Sequence, residues 1–310
     1  MAKKKKTSSS HKDTKAAAII TGLFAAVVIL FFIFSKSHQE PKETHKPAPV
    51  LPASGEVEEA YIPNEKIKTE APPVQRVAAQ HLGNVPGEGG KIAIILDDWG
   101  QSLGNCKYLK EIPEPLAVSI LPGLRHTKDV AECAKRYHKL TMLHLPLEAL
   151  HNNDFYPPNY IIKTSMSPDL ASKIVEDDLN QLPSIEGVNN HMGSKATEDK
   201  SLMKLIFKKI RKRGLFFVDS LTAHQSICAG LADDMGLPFG KRDIFLDNVN
   251  TRDAIIKQLV ALAQRARRHG YAVAIGHDRH LTMQVLKDEI PLLEKQGFEF
   301  VSIKELLKNR

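Results

Sequence analysis

The sequence predicts an α/β domain built on a parallel sheet, a closed or nearly closed (β/α) barrel, preceded by one transmembrane helix. Three observations predict it. From residue 89 onward, apolar strand-like runs alternate with amphipathic helical patterns, the beat of repeated strand–helix units. Several of those runs end in Asp, Asn or His, where folds of this kind gather their chemistry. Ahead of them, residues 16–34 form an unbroken uncharged stretch behind a lysine-rich start. Seven or eight strand–helix units imply a barrel, and a doubly wound open sheet is the alternative.

The strand-like runs fall at 92–96, 116–120, 141–145, 215–219, 244–246, 271–275 and 298–303, with a further short strand closing at 187–194. Ser167-Pro168-Asp169 has the chemistry of a helix start. Thr251-Arg252-Asp253 opens a helix whose Ala254, Ile255, Leu259, Leu262 and Ala266 share one face before Gly270 stops it. Gly214 and Gly297 likewise stand where helices should end.

The stretch KIAIILDDWGQS, residues 91–102, organises the domain. An apolar run of strand length ends in two adjacent carboxylates, Asp97 and Asp98, and Trp99-Gly100 breaks the pattern. Neighbours on an extended chain point to opposite sides, so the two carboxylates should take different roles, one toward a metal and one toward protons. A solvated turn or helix cap is the plainer alternative for this pair alone.

Composition narrows the classes. With 310 residues, 42% hydrophobic and 25% charged, the chain holds enough apolar side chains for one large domain, so it is not disordered overall. The net charge of +7 is concentrated in lysines near the N-terminus, and residues 89–310 carry 31 basic against 27 acidic side chains. That balance argues against nucleic acid as a partner. Cys106, Cys133 and Cys228 are too few and too scattered for a metal knuckle or a disulfide framework; they read as small buried residues, with a single disulfide left open but not predicted.

The N-terminal segments read in order. Residues 1–15 form a basic cytoplasmic tail, and 16–34 an uncleaved signal anchor through the lipid bilayer, since the apolar core runs through aromatics into Ser35-Lys36 without a small-residue cleavage site. The positive-inside rule then places the rest beyond the membrane, which in a Gram-negative bacterium means a single-pass inner-membrane protein with its C-terminal domain in the periplasm. Residues 35–88, rich in proline and charge, read as a disordered tether, and 89–310 as the catalytic domain.

The strand ends supply the chemistry: Asp97-Asp98, then His144-Leu145-Pro146-Leu147-Glu148, Asn189-Asn190-His191-Met192-Gly193-Ser194, Asp219-Ser220, Asp247-Asn248, and Gly276-His277-Asp278. One histidine on a strand is usually a hydrogen-bonded core residue, but five further polar strand ends beside Asp97-Asp98 make a set. His126, His138, His151, His224, His269 and His280 sit in loops or on helix surfaces and match no motif.

The ordered runs IAIILDDWG, SILPG, HLPLEA, GVNNHMGS, FFVDS, IFLDN and AIGH, spanning residues 90–307, resemble the divergent polysaccharide deacetylases, related to the NodB-type carbohydrate esterases. The resemblance implies a distorted, seven-stranded (β/α) barrel with a divalent metal at its mouth. It implies Asp97 as general base, Asp98 as a metal ligand, and His277 as the histidine that protonates the leaving amine. The related enzymes draw both ligand histidines from one HxxxH motif, and this chain has Glu148 where the second would stand. His144 is therefore paired with His191, from another strand, and one Asp with two His suits Zn²⁺. Asn190 and Ser194 are expected to touch substrate or hold His191 in its tautomer, and Asp219 and Asp247 to orient a histidine, bind sugar hydroxyls or cap helices. Trp99 is the one expected sugar-stacking aromatic.

These residues imply metal-assisted hydrolysis of an acetyl group on an N-acetylated cell-envelope glycan. A non-catalytic glycan-binding or scaffold protein is the rival, fed by the missing HxxxH. A glycoside hydrolase using two carboxylates fits the barrel but gives the histidines no role. The sequence is silent on oligomeric state.

Overall fold

The computed structural model describes residues 89–151 and 160–308. The basic tail, the expected anchor at 16–34 and the tether at 35–88 lie outside the described residues, and no described helix is long and apolar enough to cross a membrane.

The described chain runs β1 (Lys91–Trp99), α1 (Cys106–Glu111), β2 (Ala117–Ile120), α2 (Thr127–Arg136), β3 (Leu140–Leu147), α3 (Pro168–Gln181), β4 (Gly187–Met192), α4 (Lys200–Lys212), β5 (Phe216–Asp219), α5 (Cys228–Met235), β6 (Phe239–Lys241), β7 (Ile244–Phe245), α6 (Arg252–His269), β8 (Tyr271–His277), α7 (His280–Glu294), β9 (Glu299–Phe300) and α8 (Ile303–Lys308). Every strand pairing is parallel, in the order β6-β5-β4-β3-β2-β1-β8-β7, with β9 also beside β1. The two edges of this curled sheet, β6 and β7, are separated by only Arg242 and Asp243. The Arg242 amide donates to Asp219 O at 3.0 Å on the β5 side, and the next amide, Asp243, donates to Val273 O at 2.8 Å on the β8 side. The chain itself thus passes from one edge to the other, an arrangement consistent with a (β/α) barrel.

The path has eight strands where the family resemblance implies seven. The sequence reads one strand at 244–246, but the structure divides this region into β6 and β7 because consecutive amides serve opposite edges.

Two apolar layers follow from the period of two along each strand. Ile92, Ile94 and Leu96 of β1, with Val118, Leu143, Leu145, Val188, Phe217 and Ala274, join the inward faces of the helices in the larger core. Ala93, Ile95, Ala117, Met142, Val218, Val273 and Ile275 take the opposite face and pack on one another and on Ile303 and Leu306 of α8. The short C-terminal helix thereby covers the amino end of the barrel, leaving the carboxyl end as the mouth.

The helix signals act as chemistry dictates. The Ser167 side chain accepts from Leu170 N, and the Thr251 side chain from Ala254 N. Gly270 ends α6 in the left-handed region at φ 80°.

Candidate metal centre and active site

The interior-facing positions continue up each strand from the apolar layer to a polar one. Asp97 follows Ala93 and Ile95, Ser119 follows Ala117, His144 follows Met142, Ser220 follows Phe216 and Val218, and His277 follows Val273 and Ile275. Asn189 completes the layer from β4. Asp97, Ser119, His144, Asn189 and Ser220 are all buried.

Asp98 breaks the alternation. Its φ of 65° lies in the left-handed region, and the β1–β2 register shifts between Leu96 and Trp99. The bulge turns Asp98 back toward the site instead of outward, so both carboxylates face the same histidine. His144 Nε2 lies 3.2 Å from Asp98 Oδ1 and 3.7 Å from Asp97 Oδ2. The expectation that neighbouring carboxylates face opposite sides fails here, because extended geometry ends at Asp97.

Asp98, His144 and His191 form a convergent ligand set, with one ligand atom from each within 4.8 Å of the others. His191 Nδ1 is 3.0 Å from Asp98 Oδ1 and 3.1 Å from His144 Nε2. Ligand atoms placed tetrahedrally about 2.0–2.1 Å from a zinc ion stand about 3.3 Å apart, so the spacing and the donor types fit such an ion. His191 reaches the set because it sits opposite Pro146, two residues beyond the His144–Asn189 pair, on the same face of β4 as Asn189.

Asn189 binds the layer together. Its Oδ1 meets His144 Nδ1 at 2.8 Å and accepts from the Ser119 hydroxyl, while its Nδ2 donates to Asp97 Oδ1 at 2.8 Å and Ser220 Oγ at 3.3 Å. An amide oxygen can only accept, so His144 carries its proton on Nδ1 and leaves Nε2 free as a ligand. Beside Asp97, on the adjacent strand β8, stands its register partner His277. The His277 Nδ1 bonds Asp247 Oδ1 at 2.6 Å, and the other Asp247 oxygen accepts from the His277 amide at 3.0 Å and the Thr282 hydroxyl at 2.6 Å. Phe245 stacks on the His277 ring, with centroids 5.8 Å apart.

Charge follows this geometry. Burial raises the Asp97 carboxyl above its ordinary range, against the pull of His144 and Asn189. Burial also opposes ionisation of Asp98, but the facing imidazoles of His144 and His191 hold it well below the usual carboxylate range. Burial pulls His277 down, and Asp247 more than offsets it, so the imidazole is raised. Asp278, beside the mouth and bonded to Asn105 Nδ2 at 2.7 Å, is pushed up to about 6 chiefly by burial.

The sequence pattern that defines the divergent polysaccharide deacetylases matches residues 94–307. The chain belongs to that family. It is 30% identical over 205 residues to the Escherichia coli (strain K12) protein YibQ, a match covering 66% of this chain and 64% of YibQ, less than two thirds of that relative. It is 31% identical over 202 residues to an uncharacterized protein of Haemophilus influenzae, covering 64% of this chain and 70% of that one. Its fold is similar to that of Agrobacterium tumefaciens protein ATU2773, with a TM-score of 0.67 at 20% identity, over 74% of this chain and 94% of the other.

Within this divergent deacetylase fold, several residues stand elsewhere than the sequence suggests. Trp99 is fully buried in the larger core and offers no face to a sugar, because the bulge at Asp98 turns it inward. Asn190 points away from His191: its Nδ2 donates to Met192 O at 2.7 Å and its Oδ1 accepts from the Ser220 amide at 2.9 Å, so it braces two loops. The Ser194 hydroxyl accepts from the Leu150 amide. Asp219 accepts from the Leu221 amide at 2.8 Å and the Ser226 hydroxyl at 2.6 Å, shaping the loop after β5 without reaching a histidine. Glu148, in the place of the family's second ligand histidine, is bonded to Thr164 and Lys195. Sequence reasoning missed Asn189, Ser119 and Phe245. The signal for Asn189 was present, since a residue two before His191 shares its face and Asn190 does not.

A groove of about 830 Å³ lies at the other end of the barrel, lined by Leu140, Thr141 and Glu186 at the starts of β3 and β4. It contains none of these residues, so the site is recognised by its chemistry and not by its volume.

Proposed function

We propose that this chain is a metal-dependent hydrolase that removes acetyl groups from an N-acetylated glycan of the bacterial cell envelope. One observation carries the reading: a single polar layer at the mouth holds a three-atom ligand set, a buried carboxylate and a carboxylate-bonded imidazole together. Asp98, His144 and His191 would hold a divalent ion, zinc on this donor set, whose charge polarises an acetyl carbonyl and acidifies water. Asp97 takes the proton of the attacking water; its burial raises its proton affinity, as a base requires. Asn189 holds that carboxylate by one oxygen and leaves the other toward His144. His277, oriented by Asp247 and raised toward the protonated state, gives a proton to the amide nitrogen as the C–N bond breaks. Acetate and a free amine leave, and the second carboxylate–imidazole pair remains to regain its proton.

The missing HxxxH does not weaken this reading, since His191 supplies from β4 the nitrogen that position 148 lacks. The lysines at 3–6 and the apolar residues 16–34 support a single-pass inner-membrane anchor, with the domain held in the periplasm on residues 35–88.

The test is acetate release from N-acetylated oligosaccharides and from peptidoglycan, with elemental analysis of the same protein. Near-stoichiometric zinc, loss of activity on chelation with recovery on adding zinc, and an Asp97→Asn rate lower by about a hundredfold or more are expected. A protein that binds glycan without releasing acetate, or an Asp97→Asn variant that keeps full activity, would overturn the assignment.

A further inference from the structure

α1 and α2 pack against each other beside the mouth, and each carries one cysteine at the contact. Cys106 opens α1, and Cys133 lies in the last turns of α2. The Cys133 Sγ is 3.9 Å from the Cys106 carbonyl oxygen, which brings the Cys133 thiol to the residue that carries the other one. Both are only partly buried, unlike Cys228, which is enclosed on α5 with its thiol toward Thr197 O. Sequence reasoning treated all three alike; the fold separates a pair from a solitary core thiol.

We propose that Cys106 and Cys133 are a disulfide-forming pair that staples α1 to α2. The chemistry is thiol–disulfide exchange with a small disulfide donor such as oxidised glutathione. One cysteine thiolate attacks the donor, forming a mixed disulfide and releasing one reduced thiol. The second cysteine then displaces the other, so that two electrons pass from the pair to the donor and the two cysteine protons end on the released thiols. Burial, with the neighbouring thiol, pushes Cys106 up to about 12, so exchange at neutral pH is slow and quickens as pH rises.

The staple falls on a helix with little support of its own. α1 has six residues, no side-chain bond at its N-cap and no acidic residue in its first turn. Its N-cap residue is Asn105, whose amide holds Asp278 at the mouth. A bridge from Cys106 to Cys133 therefore closes a loop around β2 and fixes the residue next to that contact. It is independent of the hydrolase reading, since it needs neither metal nor substrate.

The experiment uses the full-length chain purified in detergent, treated with oxidised glutathione at pH 8, unfolded, alkylated, digested and examined by mass spectrometry before and after reduction. The expected result is one linked peptide pair containing Cys106 and Cys133, two thiols lost to alkylation and Cys228 still alkylated. Cys228→Ser should keep the link, Cys106→Ser and Cys133→Ser should each abolish it, and the bridged protein should melt several degrees above its reduced form. Three alkylated cysteines after treatment, stable glutathione adducts on Cys106 or Cys133 without a link, or a link through Cys228 would overturn the proposal.

Discussion

Asn189 joins Asp97 to His144, since one amide bonds both side chains. Replacing it with Leu leaves His144 Nδ1, the Ser119 hydroxyl and Asp97 Oδ1 without that partner in a buried layer. Each such group costs about 1–3 kcal/mol, and metal affinity should fall roughly 10–100-fold, which competition with a chromogenic chelator would measure. A second residue lies far from the chemistry. Asp178 on α3 is wholly buried, one carboxylate oxygen has no hydrogen-bond partner among the described residues, and the other meets Gln181 Nε2 only at 3.4 Å. Burial, with Asp177 beside it, raises its carboxyl to about 8. The folded state then binds more protons than the unfolded state between about pH 4 and 8, so stability falls as pH rises through that window. Asp178→Asn should be stabilising by roughly 1–3 kcal/mol at pH 9 and nearly neutral at pH 4, as urea midpoints at the two pH values would show. Residue types were legible in the sequence where they ended an apolar run, which is why Asp97, Asp98, His144, His191 and His277 stand out. Orientation was less so: a single left-handed residue, Asp98, turns one carboxylate inward and removes Trp99 from the mouth, and nothing in the letters Asp-Asp-Trp encodes that φ.

Elements were legible where local chemistry decides them and obscure where only pairing does. The N-caps Ser167 and Thr251 and the stop at Gly270 follow from hydrogen-bonding and steric rules that act within four residues. β6 has three residues, Phe239-Gly240-Lys241, and exists because Phe217 N and Arg242 N find carbonyls across the β5 ladder, a contact invisible along the sequence. Two glycines separate the local from the tertiary. At Gly270 a Cβ would meet open space, so Gly270→Ala should cost only the left-handed backbone penalty of about 1–2 kcal/mol, and Gly270→Asn less. At Gly187, where β4 begins, a Cβ would fall 2.2 Å from the Phe216 ring. Gly187→Ala must displace an interior aromatic, with an expected loss of about 1–3 kcal/mol that Asn does not relieve. Denaturant unfolding of the four variants, including Gly187→Asn, distinguishes the two causes by whether Asn recovers stability.

At the scale of the whole molecule, alternation and count made a parallel barrel legible, but not how its edges meet. The edges are joined by Arg242 and Asp243, whose amides attach to Asp219 of β5 and Val273 of β8, a relation that no pattern along the sequence displays. The ligand set is likewise a property of the curled sheet, because Asp98, His144 and His191 come from β1, β3 and β4, and β1 and β4 do not pair. An ion held by all three would tie together strands that the hydrogen-bond ladder joins only through β2 and β3. The folded state alone presents this set, so metal binding should add to global stability by mass action, about 4 kcal/mol at a free zinc concentration a thousandfold above its Kd. For a domain of this size that corresponds to a rise in Tm on the order of ten degrees. His191→Ala should lose the rise because it removes a ligand, and His277→Ala should keep it because that ring is bonded to Asp247 and is not one of the three ligands. Calorimetry with and without zinc would therefore divide the polar layer into its ion-holding and proton-moving parts without any knowledge of the glycan. An equal loss in both variants would mean that the layer unfolds as one unit and that the division drawn from its geometry is incorrect.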